Sequence, residues 1–216
     1  MSATVLFDAM FRRAVPLTVR HMTGREQRFD PAAWCRDDLP GDQTLLARCT
    51  GPTLDVGCGP GRLAGALARR GCPALGIDIS ETAVRLARRR GAAALRRDVF
   101  DPLPGAGRWH HVLLADGNIG IGGDPARLLR RCRRLLATGG RAHVEAAAPG
   151  TAGWSGPAVV EDAAGCPGPA AVHGGAELPW ACVPIDDLAA LAAATAMRVL
   201  ETWTEADRWF ATLTVG

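Results

Sequence analysis

Lysine is missing from this 216-residue chain: all 25 basic side chains are arginine, a bias that speaks of a GC-rich coding sequence rather than of chemistry. The 22 acidic residues nearly cancel them, leaving a net charge of +3. A protein built for nucleic acid ordinarily concentrates its positive charge on one face, so such a partner is not expected. Long apolar runs are missing too: none approaches the roughly 20 residues that cross a bilayer. The N-terminal "MSATVLFDAMFRRAVPL" lacks the basic start, apolar block and cleavage site of a secretory signal. The cytosol is the expected compartment, with no membrane partner. Cysteines are present at 35, 49, 58, 72, 132, 166 and 182, but they form no Cys-x-x-Cys pair and have no histidine at zinc spacing. They read as reduced thiols, and no metal site is expected.

What the chain does have is 48% hydrophobic residues and a mean hydropathy of +0.05, the balance of one well-buried globular domain. From Thr53 onward short apolar runs alternate with amphipathic ones, which predicts a parallel sheet with helices on both faces. The first strand is "TLDVG", and the helix "RLAGALARR" after it stops at Gly71. The second strand is "PALGID"; Ser80 is a helix N-cap, "ETAVRLARRR" the body and Gly91 the stop. "AAALRRD" reads as a third, weaker strand and "WHHVLLAD" as a fourth. Asp124 as N-cap and Pro125 at the first helical position then start a helix predicted to run through "ARLLRRCRRLLAT" to Gly139. Leu128, Leu129, Cys132, Leu135 and Leu136 form its apolar stripe, with arginines opposite. The fifth strand is "RAHVEAA".

After Pro149 a Gly/Pro/Ala-rich stretch reads as irregular structure or a loose hairpin beside the sheet. The helix "IDDLAALAAAT" and the strands "MRVLETWT" and "RWFATLTV" close the chain, the short turn "EAD" forcing the two strands to be antiparallel. Residues 1–50 carry helical signals, "TVLFDAMFRRAVPLTVRHM" and "GDQTLLARCT", and are expected to pack over the sheet's edge or its ligand end.

The chemistry begins at "TLDVGCGPGRLAGALARRG". Between a strand and a helix, Gly57, Gly59 and Gly61 let backbone N–H groups and the helix N-terminus approach a ligand, a signal that by itself fits any nucleotide. The dinucleotide fingerprint G-x-G-x-x-G is not met, because Arg62 stands where its third glycine belongs. Asp78 ends the second strand about 20 residues beyond the turn, where a carboxylate accepts both hydroxyls of a ribose. Asp98 ends the third strand, so three successive strand ends offer polar groups to one crevice.

Taken in order, "LDVGCGPGRL", "GIDIS", "RDVFDPLP", "HHVLLADGNI" and "RRLLATGGRAHVEA" resemble the class I S-adenosylmethionine-dependent methyltransferases, over roughly residues 54–215. The resemblance implies an α/β three-layer sandwich whose seven-stranded, mostly parallel sheet has the order 3-2-1-4-5-7-6 and an antiparallel last strand. The single expected domain then divides into a helical N-terminal flank or lid at 1–50, a cofactor-binding core at 51–147, an irregular insert and candidate acceptor lid at 148–180 and a C-terminal helix and strand pair at 181–216. The resemblance implies S-adenosyl-L-methionine as cofactor. Asp55 and the turn Gly57, Cys58, Gly59 and Gly61 are then assigned to its amino acid end, and Asp78 to the ribose. Ile79 falls on the adenine ring, Asp98 at the adenine amino group and the Val99 backbone at a ring nitrogen. Ala115 and Asp116 fall near the methionine portion and the acceptor.

The reaction implied is an SN2 methyl transfer, in which proximity and alignment carry most of the catalysis and a base is optional. Asp116, which follows an apolar strand and precedes "GNIGIGG", is the first candidate to face the acceptor; Glu145 is the second and Asn118 a weaker one. His110 and His111 start the fourth strand away from the crevice, and His143 reads as a satisfied core residue. His21 and His173 read as loop histidines able to swing over an acceptor. Trp34, Trp154, Trp180, Phe11 and Phe29 are candidates to line an apolar acceptor pocket or to anchor loops. The arginine runs read as solvated helix faces. No Asn-Pro-Pro-Tyr or Asp-Pro-Pro-Tyr follows the fourth strand, "ADGNIGIGG" has one carboxylate where a metal-dependent transferase clusters several, and Cys35, Cys166 and Cys182 leave arsenite chemistry as a minor alternative. The expectation is a small-molecule methyltransferase of specialised metabolism, monomeric or homodimeric. The alternatives are other S-adenosylmethionine chemistry and a non-catalytic nucleoside-binding partner protein.

Overall fold

The computed structural model describes residues 7–8, 10–12, 16–162 and 176–215. In chain order, β1 (Leu17–His21) and β2 (Glu26–Phe29) precede two short helices, α1 (Pro31–Trp34) and α2 (Asp42–Ala47). Alternating units follow: β3 (Thr53–Val56), α3 (Arg62–Arg69), β4 (Ala74–Asp78), α4 (Glu81–Arg89), β5 (Ala94–Arg96), β6 (Trp109–Leu114), α5 (Pro125–Leu135) and β7 (Leu136–Ala146). The chain closes with β8 (Trp154–Asp162), β9 (Ala176–Cys182), α6 (Leu188–Ala193), β10 (Met197–Glu205) and β11 (Arg208–Val215). No helix among the described residues is long and apolar enough to cross a membrane.

The central sheet has the order β5-β4-β3-β6-β7-β11-β10, which is the expected 3-2-1-4-5-7-6. Pairs from β5 to β7 are parallel, and β11 is antiparallel to both of its neighbours. β3 lies inside the sheet, between β4 and β6, with all four residues buried, as a strand covered on both faces requires. The expected caps are present. The Ser80 hydroxyl accepts from the Ala83 N–H at 3.1 Å, and the Asp124 carboxylate accepts from the Arg127 N–H at 2.9 Å. Each such cap satisfies a helix N–H that has no partner in its own helix. Leu128, Leu129, Cys132 and Leu135 are buried along α5, as their stripe predicts. The β10–β11 hairpin turns on Ala206 and Asp207, both with positive φ (49° and 58°), as a two-residue type I′ turn demands.

Two readings need correction, and a third is narrowed. The N-terminal flank is not helical throughout: Leu17–His21 is a strand, paired with β2 on one side and β8 on the other. Pro16 and the β-branched Thr18 and Val19 oppose a helix there, and Gly24 (φ 84°) turns the chain. The helix expected to reach Gly139 ends at Leu135, because Leu136 pairs with Trp109 at the start of β7. Of the two readings of the Gly-rich insert, irregular structure or a hairpin, the hairpin holds: β8 and β9 pair in continuous antiparallel register from Trp154↔Cys182 to Val160↔Ala176. Its centre, with Cys166 and His173, lies outside the described residues. The result is a second, four-stranded sheet of order β2-β1-β8-β9, made from two segments far apart in sequence.

Candidate functional site

A cavity of about 580 Å³ opens between the C-terminal ends of β3, β4, β5 and β6 and the second sheet. That size suits a drug-sized ligand, for which pockets run ~300–1,000 Å³. Ligands of open parallel sheets bind in this place, outside the carboxyl ends of the strands.

The glycine turn forms one wall. Gly57 and Gly59 adopt φ of 69° and 52°, and a Cβ on Gly57 would come within 2.7 Å of the Asn118 amide nitrogen. That amide holds the turn by donating to the carbonyls of Val56 (2.9 Å) and Gly57 (3.0 Å). From the second strand, Asp78 accepts from the Gly59 N–H at 2.9 Å and from the Ser80 N–H at 2.8 Å, so one carboxylate ties turn, strand and helix together. Burial nonetheless pushes Asp78 up to about 6, against the pull of those donors. Cys58, Ile79, Asp98 and Val99 also line the cavity. Gly61 does not: a Cβ there would meet Ala87 Cα at 2.8 Å, so this glycine serves helix packing. Ala115, also expected at the ligand, packs instead with Leu45, Leu113 and Phe210.

Asp116 lines the cavity, and it is the centre of a charged network that the sequence reading missed. Its carboxylate accepts from Arg62 at 2.5 Å and from Arg208 at 3.4 Å. Arg62 also pairs with Asp42, and both are nearly sealed from solvent at 3% and 1% exposure. Glu145, the second catalytic candidate, is not among the lining residues. Both its oxygens are taken by Arg208, at 2.9 and 2.8 Å, and one also accepts the Asp116 N–H at 2.6 Å. It therefore supports Asp116 rather than facing a ligand. Asp55, fully buried, accepts from the Ala64 N–H at 3.2 Å. Burial first, and then the charge of Asp116, push Asp55 up to about 7. Burial likewise raises Asp116 to about 6 against the pull of Arg62. The signal for Arg62 was present: an arginine in the place of a glycine, on the first turn of a helix that packs against the sheet.

The described histidines stand apart from the cavity. His111 and His143 stack with their ring nitrogens 3.0 Å apart, and His143 reaches the Thr212 hydroxyl at 3.1 Å. Burial lowers them to about 4 and about 3, so they are neutral core residues. His21 stacks on Trp154, away from the cavity lining.

Opposite the strand ends, the second sheet and the neighbouring chain present an apolar wall. Phe11, Phe29, Trp34 and Trp180 line it. Phe29 packs on Trp34 at 5.7 Å and edge-on to Trp180 at 5.6 Å, and Phe11 packs on Trp34 at 6.1 Å. These separations suit aromatic pairs. The Trp180 N–H is satisfied by the Gln27 side chain at 3.1 Å, which leaves its ring as a neutral surface. Helical residues Phe7 and Met10 complete the roof, where Asp8 accepts from the Ser80 hydroxyl and, at 2.9 Å, from the Thr82 N–H.

Residues 53–140 match the family model described as "Methyltransferase domain". The ubiquinone biosynthesis O-methyltransferase of Alkalilimnicola ehrlichii is 32% identical over 127 residues, covering 52% of this chain and 51% of that protein. The chain spans about half or less of the length of the curated relatives it matches. Among solved structures, a SAM-dependent methyltransferase from Bacteroides fragilis, in complex with S-adenosyl-L-homocysteine, covers 99% of this chain and 94% of its own at 24% identity, with a TM-score of 0.74. The 1,6-didemethyltoxoflavin-N1-methyltransferase of Burkholderia thailandensis, with bound 1,6-didemethyltoxoflavin and S-adenosylhomocysteine, covers 84% of this chain and 77% of its own at 18% identity, with a TM-score of 0.57.

Proposed function

We infer that this chain, which carries in residues 53–140 a domain of the methyltransferase family and has the fold of class I S-adenosylmethionine-dependent methyltransferases, is an enzyme that methylates a small molecule with S-adenosyl-L-methionine as cofactor. The observation that carries this reading is the meeting of two unlike walls on one cavity. One holds the Gly57–Gly59 turn with Asp55, Asp78, Asp98 and Asp116; the other is aromatic. The buried carboxylates fit the cofactor's chemistry, since Asp55, Asp78 and Asp116 are all raised by burial, and a cationic ligand offsets that cost.

When bound, the cofactor supplies an electrophilic sulfonium methyl. The chain's own part is to bind, align and keep out water: Asp78 at the ribose, Asp98 and the Val99 backbone at the base, Asp55 and the turn at the amino acid end. Alignment of the two reactants accounts for most of such a rate enhancement. Asp116, on the strand-end wall, is the group to face the methionine end of the cofactor and the acceptor beside it. The aromatic surface favours an acceptor with a flat apolar body, in keeping with specialised metabolism; the similar Burkholderia protein holds 1,6-didemethyltoxoflavin. The six described cysteines are unpaired, in keeping with a cytosolic enzyme.

Calorimetry with S-adenosylmethionine and S-adenosylhomocysteine, on the wild type and Asp78→Ala, tests the cofactor assignment. Tight binding lost in the variant supports it, and no binding by the wild type sinks it. Incubation with methyl-labelled cofactor and candidate acceptors then tests the chemistry. Labelled product supports methyl transfer, unlabelled rearranged product supports other S-adenosylmethionine chemistry, and binding without turnover supports a non-catalytic partner.

A further inference from the structure

We propose that Arg62 is a positioning residue: anchored on Asp42, its guanidinium holds the Asp116 carboxylate at the cavity wall, where that carboxylate faces the cationic methionine end of S-adenosylmethionine. The inference rests on the functional reading above and goes beyond it, because it assigns a role to a residue outside the glycine turn and the strand-end carboxylates.

Stability alone gives Arg62 no reason to be buried. Taking a guanidinium and its carboxylate partners out of water costs about as much as their attraction returns, and apolar side chains of the same volume often do as well. The arrangement is nonetheless elaborate. Arg62 bonds Asp42, Asp42 bonds Arg208 at 2.9 Å, Arg208 forks onto Glu145, Glu145 accepts the Asp116 N–H, and Asp116 returns to Arg62. The ring draws one group each from α3, α2, β11, β7 and the loop after β6. All of it converges on a residue that is not glycine yet has φ of 54°, a left-handed conformation that Asp tolerates better than most side chains.

Distances decide which cation matters most to Asp116: Arg62 stands at 2.5 Å and Arg208 at 3.4 Å, with Arg208 already committed to both oxygens of Glu145. Charge then decides what the ring faces. Two guanidinium groups meet the carboxylates of Asp42, Glu145 and Asp116, and of these three carboxylates Asp116 is the one that lines the cavity. A second observation ties the clamp to the cavity: Arg62 itself lines it beside Asp116, so the guanidinium and the carboxylate it holds reach the same space, while its buried Nε–H donor has no partner among the described residues.

The test is calorimetric titration of S-adenosylmethionine from pH 5 to 8.5 with the wild type, Arg62→Met, Arg62→Lys, Asp116→Asn and Arg62→Met with Asp116→Asn. Affinity depends on ionised carboxylates, so it rises with pH. Removing the cation beside Asp116 is expected to move the midpoint of that rise upward by about one pH unit or more, the size of effect an adjacent opposite charge exerts. In the Asp116→Asn background the same substitution is expected to move it little. Arg62→Lys keeps the charge without the fork and is expected to hold the midpoint while binding several-fold more weakly. An unchanged midpoint in Arg62→Met, or an equal shift with and without Asp116, overturns the proposal while leaving cofactor binding intact. If Arg62→Met does not fold, wild-type affinity and midpoint in Arg62→Lys overturn it instead. Failure of the wild type to bind strikes the functional reading itself, and this inference with it.

Discussion

The two walls of the cavity are built by opposite means. The strand-end wall is local and polar: a turn of a few residues and the carboxylates at or just beyond the ends of β4, β5 and β6, each placed by its strand. The aromatic wall is remote and apolar: β1 and β2 complete a sheet only when β8 and β9 arrive, with Leu17 set against Asp162. A hairpin by itself is marginal in water, and three or more strands with a shared apolar face are needed. The first wall suits a polar, charged ligand, and the second suits an apolar one.

The largest expected effect is on the polar wall. Asp78→Ala removes a carboxylate that also holds the Gly59 and Ser80 N–H groups. Cofactor affinity by calorimetry is expected to fall about 100-fold or more, at the upper end for charge-assisted hydrogen bonds. A small loss would erase the distinction between the walls. Trp34→Ala, on the aromatic wall, is expected to weaken acceptor binding about 10-fold through lost ring contacts while leaving S-adenosylhomocysteine affinity unchanged. Equal losses of both ligands would show that the walls are one site.

A third expectation concerns pH. Asp55, Asp78 and Asp116 are raised in the folded protein to about 7, 6 and 6, above their unfolded values. Their contribution to the stability of the ligand-free protein is therefore fully present below about pH 4 and is lost as pH rises through 6 to 7. A cationic ligand favours the ionised forms. The thermal shift caused by S-adenosylmethionine is accordingly expected to grow several-fold between pH 5 and pH 8 in differential scanning fluorimetry, and a flat profile would count against the polar wall's role. Smallest of all is His110→Ala. His110 is exposed and absent from the cavity lining, so cofactor affinity is expected to stay within about 2-fold of wild type.

How much of this was legible beforehand follows the same division. The caps at Ser80 and Asp124 and the stop at Gly71 were readable, because each depends on residues within one turn or one strand–helix unit; the order of the central sheet followed only from the family resemblance. Asp78 was readable for that reason too. Glu145 was misread: two residues beyond His143 on the same face of a strand, it looked able to reach the ligand, whereas Arg208, 63 residues further on, holds both of its oxygens. Gly61 looked like part of the ligand turn, but α4 leaves no room for a Cβ there.

By itself the sequence determined the alternating strands and helices, the glycine turn and the acids at the strand ends, since these arise from local propensity and periodicity. Tertiary structure alone decided the second sheet, the aromatic wall and the ring of charges that closes on Asp116. Those features need partners brought from distant segments: a strand's edge hydrogen bonds and a buried guanidinium's counter-charges are satisfied only after the chain has folded, and no local pattern announces which groups will meet.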